Sequence, residues 1–305
     1  MILCYRSTHD YLCATQRVEV MESDMFYGIE LWAAANGSPS VLAELARLAE
    51  ESGWDGFFLE DYITHWYGRD TYDPWISLAA IALNTHRIRL GTIVTALPRR
   101  RPWKLAREIL TLDHLSNGRM VLGVGLGGGE DMEQFGEVAD VKQRAQMADE
   151  AIDILRGLWS GEHFSYAGKH YQVTNARFLP KPVQTPDIPI WVGGGWPGPA
   201  IKRAVRCDGF APIIYKNTKN GVQEEQGPDD VRAMKAYVES QRGPAASFDL
   251  VFGGRMRRQD WDEEREHLRA MANAGATWWV EFVEPPDLDL QTVQDYIRQG
   301  PLRVE

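Results

Sequence analysis

From Phe26 onward the chain changes repeatedly between short apolar or β-branched runs and longer segments whose apolar positions recur every three or four residues. The first pair is FYGIELW (26–32) and a helix over 39–52, in which Leu42, Leu45, Leu48 and Ala49 share one face. WDGFFLE (54–60) with DPWISLAAIALNT (73–85), and RIRLGTIVTAL (87–97) with WKLAREILTLDHL (103–115), make the second and third. GRMVLGVG (118–125) is followed, after a glycine-rich loop, by a helix over 141–159. IPIWVGG (188–194) with 199–206, DGFAPII (208–214) with 229–241, SFDLVFGG (247–254) with 262–274, and ATWWVEFV (276–283) with 290–300 complete eight units.

Strands that read as almost unbroken apolar runs belong to a parallel sheet buried on both faces. Eight such units close most simply into an α/β fold of the (β/α)8 TIM-barrel type; an open doubly wound sheet is the other solution. Residues 161–187 are too many for a plain connection. They predict an insertion between the fourth helix and the fifth strand, with a hairpin around Ala167-Gly168-Lys169, placed to act as a lid. Residues 1–24 show no clear period and are expected to be an N-terminal extension to one barrel domain over 25–305.

The charge balance narrows the partners. With 33 basic and 43 acidic side chains the formal net charge is −10, which speaks against nucleic acid or an anionic membrane. An anionic ligand must then be held by a local feature. Cys4, Cys13 and Cys207 are too few and too scattered for a disulfide framework or a cysteine-rich zinc site. No apolar run approaches a membrane span, and residues 1–24 lack the apolar core of a secretion signal, so a cytoplasmic protein is expected. The seven histidines form no His-x-His or HExxH pair, and no G-x-S-x-G elbow occurs, so neither a metal nor a serine nucleophile is expected. Carboxylates at strand ends nonetheless keep a metal-dependent hydrolase open as a rival.

In a barrel the loops after the strands converge on one mouth, where function resides. That rule gathers Glu60, Asp61 and Tyr62, then Ile93 to Thr95, Gly127 to Glu130, Gly193 to Gly195, Lys216, Arg255 and Glu281. The run GGGWPGPA (193–200) offers backbone amides bare of side chains at a helix start, suited to a phosphate, although the same glycines would also serve a tight turn. GVGLGG (123–128) matches GxGxxG but leads into a loop and has no acidic residue ending a second strand about 20 residues on, so a Rossmann site is not expected. Glu130, beside three glycines, is either a proton-exchanging acid or a solvated loop carboxylate. His65 is either an acid–base group or a plain surface histidine. Trp54, Tyr62, Trp66, Tyr67, Tyr72 and Trp75 could wall a planar ligand, with some of them core.

WDGFFLED, the stretch from DPWISLAAIALNTHRIRLGTIVTAL through LDHLSNGRMVLGVGLGGGEDMEQFG, LRGLWSGEHFSYAGKHY, and PKPVQTPDIPIWVGGG with AVRCDGF together resemble the bacterial luciferase-like family. The resemblance implies a (β/α)8 barrel that works with FMN or coenzyme F420, moving a hydride or inserting oxygen into a small organic substrate. It implies a non-proline cis peptide at Ile93-Val94 supporting the cofactor ring, Asp61 beside the cofactor, and Gly193, Gly194 and Gly195 at its phosphate. Glu130 matches a proton donor, Lys216 a substrate-phosphate ligand, and Trp66 falls on the substrate side. One departure stands out: where relatives often carry histidine after the second strand, this chain has Asp61-Tyr62. Tyr62 can position a substrate, but a phenol with a pKa of about 10 is a poor base near neutrality, and His65 could substitute. The missing histidine leaves a non-catalytic flavin-binding barrel as the alternative to an enzyme. The family also implies a homodimer.

Overall fold

The computed structural model describes residues 25–32, 37–64, 70–217, 223–244, 247–283 and 289–304. The N-terminal residues 1–24, and with them Cys4 and Cys13, lie outside that description. Eight parallel strands close on themselves in the order β1 (Phe26–Leu31), β12 (Trp278–Phe282), β11 (Asp249–Arg255), β8 (Gly209–Pro212), β7 (Ile190–Gly194), β4 (Met120–Gly125), β3 (Arg89–Ala96) and β2 (Gly56–Leu59). Each strand is followed by a helix: α1 (Pro39–Glu51), α2 (Pro74–Asn84), α3 (Pro102–Leu115), α5 (Val141–Trp159), α6 (Pro199–Ala204), α7 (Pro228–Arg242), α8 (Trp261–Ala274) and α9 (Leu290–Arg298). The closed barrel is therefore the solution, and the open sheet is not.

Local chemistry sets the boundaries. The carboxylates of Asp73, Asp140 and Asp289 accept the amides of Ile76, Gln143 and Thr292, satisfying donors at the starts of α2, α5 and α9. Proline at the first turn of α1, α2 and α3 wastes no amide. The helices bury one face against the barrel wall, where Leu42, Leu45 and Ala49 of α1 and Ile109 and Leu110 of α3 are almost fully buried.

The lower barrel is filled by three rings. Phe58, Trp191 and Trp278 lie with centroids 5.5, 5.2 and 5.9 Å apart in tilted and edge-on pairs. They fit because the positions facing them carry no side chain: a Cβ on Gly56 would come within 2.5 Å of the Phe58 ring, and one on Gly209 within 2.4 Å of the Trp191 ring. Open space lies above this layer, toward the C-terminal ends of the strands.

The insertion forms the expected hairpin, β5 (Phe164–Ala167) against β6 (Gln172–Ala176). Its place differs from a lid. Glu150 of α5 accepts the amides of Lys169, His170 and Tyr171 at 2.8, 3.0 and 3.0 Å, and Trp103 of α3 meets the Tyr171 ring edge-on. Asp113, at the far end of α3, accepts the Val183 amide at 2.7 Å. The segment is thus strapped to the outer face of α3 and α5, and no residue of 161–187 lines the mouth cavity described below.

Two features were not foreseen. A second hairpin, β9 (Tyr215–Asn217) with β10 (Gln223–Glu225), follows β8, and a single helical turn, α4 (Glu130–Glu133), follows β4. Among the described residues no helix is long and apolar enough to cross a membrane.

Candidate active site

The strand ends enclose a cavity of roughly 900 Å³, at the upper end of the usual range of about 300–1,000 Å³ for small-molecule sites. Its floor is the middle of β3. The Ile93–Val94 peptide is cis, and the pairing of β3 with β4 shifts register between Thr92 and Thr95, so the chain bulges inward. Ile93 and Val94 both line the cavity. Gly123 admits the bulge: a Cβ there would lie 2.0 Å from the Thr92 carbonyl oxygen.

A chain of polar contacts fixes the bulge from behind. The Thr95 hydroxyl donates to Asp61 Oδ2 at 2.9 Å and lies 3.0 Å from Thr92 Oγ1. Asp61 also accepts from Trp75 Nε1 at 3.2 Å and from Arg100 Nη2 at 2.6 Å, with its side chain almost wholly buried. Every oxygen of this carboxylate is therefore used. Asp61 borders the cavity, but its charge is already matched by Arg100.

Tyr62 lines the cavity beside it. Burial first, then the charges of Glu60, Glu30 and Asp131, push its phenol far above the usual range, so it is a neutral hydrogen-bonding group and not a base. The loop that carries Tyr62 is tied across the mouth. Asp131 accepts the amides of Ile63 and Thr64 at 3.0 and 2.8 Å, and pairs with the buried Arg99 guanidinium.

The opposite rim is made of glycines. Gly193 and Gly194 end β7, Gly195 follows it, and all three line the cavity together with Gly198, Lys142 and Arg203. The approach of α6 demands the absence of side chains, since a Cβ on Gly194 would meet Ala200 Cβ at 2.4 Å. A Cβ on Gly195 would meet nothing within 4 Å, so this position opens onto the cavity. A phosphorylated tricyclic cofactor fits these surroundings: an apolar bulge for the ring, and for an anionic tail uncovered backbone with Lys142 and with Arg203, which also pairs with Asp149.

Other expected residues fall elsewhere. Glu130 opens α4 on the exposed side and is absent from the cavity wall, because the helical turn sends its neighbours Asp131 and Met132 inward instead. Glu281 points out of the barrel, since Val280 and Phe282 take the inward positions of β12. There it pairs with Arg257 at 3.0 Å and accepts from Tyr296. Arg255 likewise leaves the mouth to bind Glu264 and Glu225, which anchors the β9–β10 hairpin. Trp54 donates to the Ile297 carbonyl under α9 and Trp75 to Asp61, so both are structural. Lys216 lies in β9, across from Glu224 in the hairpin register. His65, Trp66 and Tyr67 fall outside the described residues.

The sequence reading missed four charged residues of the cavity wall: Glu30, Asp131, Lys142 and Arg203. Glu30 was the findable one. A glutamate in the inward register of an otherwise apolar strand, FYGIEL, is a polar group sent to the barrel interior. It is 7% exposed, and burial pushes its carboxyl up to about 8.

A closed barrel of eight parallel strands, with a bulged third strand beside a cavity at its mouth, defines a TIM-type α/β barrel. The chain belongs to the luciferase-like monooxygenase family, whose model matches residues 21–293. Its relatives include a Mycobacterium tuberculosis protein provisionally named a coenzyme F420-dependent oxidoreductase, 36% identical over 216 residues. That alignment covers 67% of this chain and 60% of the relative. An F420-dependent glucose-6-phosphate dehydrogenase of Nakamurella multipartita is 31% identical over 299 residues, covering 86% of this chain and 84% of that protein. Among solved structures, a monooxygenase from Streptomyces bottropensis superposes with a TM-score of 0.73 at 20% identity, covering 90% of this chain and 97% of the other. A coenzyme F420-dependent tetrahydromethanopterin reductase from Methanopyrus kandleri gives 0.69 at 18%, covering 90% and 98%. At such identities these structures bear on the fold.

Proposed function

We propose that the protein is an oxidoreductase that binds coenzyme F420 across the barrel mouth and moves a hydride to or from a small organic molecule. FMN is the cofactor the same cavity would otherwise take. The observation that carries this reading is the cavity itself, floored by the Ile93–Val94 bulge and rimmed by Gly193 to Gly195. Ile93 and Val94 would back one face of the ring, while the glycine amides, Lys142 and Arg203 would hold the anionic tail. The names of the sequence relatives support F420 over FMN.

The bound cofactor would supply two-electron chemistry, and the chain's own residues bind, orient and exclude water. Asp61 holds the bulge through Thr95, and Tyr62 offers a neutral hydrogen bond to the substrate. Trp66, His65 and Lys216 are assigned to the substrate side. Glu130, exposed beside the rim, would assist proton transfer only through solvent.

We place the protein in the cytoplasm as a homodimer. The support for the homodimer is α2, whose Ile76 and Leu83 are 67% and 66% exposed with Ala79 and Ala80 between them, an apolar stripe at helical spacing.

The test is titration of the purified protein with F420 and with FMN, followed by fluorescence. F420 binding at least about tenfold tighter than FMN supports the reading. The reverse order would move the assignment to FMN, and failure to bind either would overturn it.

A further inference from the structure

Glu30 is the second-last residue of β1. Strand alternation sends Tyr27 and Ile29 toward the surrounding helices and Gly28 and Glu30 into the barrel. Its register partners are Phe58 on one side and Phe282 on the other. The residue lines the mouth cavity, is more than nine-tenths buried, and among the described residues nothing hydrogen-bonds its carboxyl. Native proteins rarely leave a buried polar side chain unsatisfied, and the side that remains open to Glu30 is the cavity.

We infer that Glu30 is the proton-exchanging group of this cavity, a neutral carboxylic acid that hydrogen-bonds the heteroatom of a carbonyl or imine substrate and gives it a proton during reduction. The inference rests on the hydride-transfer reading above. In that direction the substrate carbon gains a hydride, with both electrons, from the reduced cofactor. The C=O or C=N π bond opens, and the oxygen or nitrogen takes the Glu30 proton. The carboxylate left behind recovers its proton from water. In the oxidative direction the Glu30 carboxylate accepts the proton of the alcohol or amine as the hydride departs.

The other ionisable groups lining the cavity among the described residues are less suited. Asp61 and Asp131 are committed to Arg100 and Arg99. Glu60 is hydrogen-bonded with Tyr62, whose phenol burial holds neutral. Lys142 and Arg203 stand on the glycine rim, and Arg203 is paired with Asp149. On the adjacent β12, Glu281 faces away from the cavity toward Arg257. Glu30 has burial as its one resolved influence, and burial keeps a carboxyl protonated at neutral pH.

Two measurements test this, the first needing no cofactor. Infrared titration of the unloaded protein should show a carboxylic-acid C=O band that persists above pH 7, fades with a midpoint near pH 8, and is missing in Glu30→Gln. Calorimetric titration with F420 or FMN in buffers of different ionisation enthalpy should then show uptake of up to about half a proton at pH 8, because the ring desolvates Glu30 further. Uptake should vanish at pH 6 and in Glu30→Gln, whereas Glu30→Asp, which keeps an acid in place, should retain both band and uptake. Absence of the band from the wild type, or equal proton uptake by the wild type and Glu30→Gln, would overturn the assignment. If neither cofactor binds while the band behaves as expected, it is the cofactor reading that has failed, and Glu30 stands as the cavity's acid.

Discussion

The Thr64 amide donates to Asp131 at 2.8 Å, so the loop after β2 is held by the loop after β4 across the cavity mouth. The Ile63 amide and the buried guanidinium of Arg99 converge on the same carboxylate. Replacing Asp131 by Asn removes the charge from a buried pair and one acceptor from the loop. Such losses cost about 3–5 kcal/mol. Chemical denaturation should register a drop of that order, together with weaker cofactor binding. A stability change below about 0.5 kcal/mol, the range of an ordinary surface substitution, would mean that the tie is not formed in solution.

Gly194→Val tests the phosphate rim. A β-carbon at this position would overlap Ala200, so α6 and the neighbouring amides must move. The affinity for FMN should fall much more than that for riboflavin, which has the same ring and no phosphate. Equal losses for both would remove the glycines from the phosphate site.

The pH dependence of stability should carry the mark of Glu30. Its folded-state pKa, raised by burial to about 8, lies above the ordinary value of 4.5. A raised carboxyl pKa favours the folded state fully below the unfolded value, and that contribution is lost as pH climbs through the folded one. The wild type should therefore lose stability between about pH 4.5 and pH 8, by up to a few kcal/mol, relative to Glu30→Gln. Urea midpoints measured across this window would show the two proteins converging at the acid end. Parallel curves would mean that Glu30 is solvated.

Placing a charge on the α2 stripe should separate subunits. Ile76→Glu with Leu83→Glu changes two exposed side chains and leaves the buried face of the helix untouched. Light scattering should find the wild type at twice the chain mass and the double variant at the single mass. A monomeric wild type would end the homodimer proposal.

Much of the fold was legible because each local rule agreed with the next. All eight strand–helix pairs lie within a few residues of where the periodicity of apolar positions puts them, and the hairpin lies around Gly168 as expected. The β9–β10 hairpin was not legible: its strands are three residues each, polar, and held by Glu225 reaching Arg255 and Arg258, a contact between distant parts of the chain. The glycines were legible from their bare backbone, and the bulge at Ile93-Val94 came only from the family resemblance, since no local pattern of residues marks it. Side-chain direction decided the rest. Glu130 and Asp131 are adjacent in sequence, yet the single turn of α4 exposes the first and buries the second. Glu30 was hidden by being one polar letter in an apolar strand, the position where alternation should have drawn notice.

The rings of Phe58, Trp191 and Trp278 turn the barrel into a vessel closed at its base. A guest arriving from the base would have to push through three interlocked aromatics, so traffic uses a single doorway. Whichever molecule sits deeper must enter first and leave last, which imposes an ordered sequence of arrivals and departures. On the reading proposed above, a flat cofactor seated on Ile93 and Val94 would be the early, long-staying guest, and its reaction partner would come and go above it.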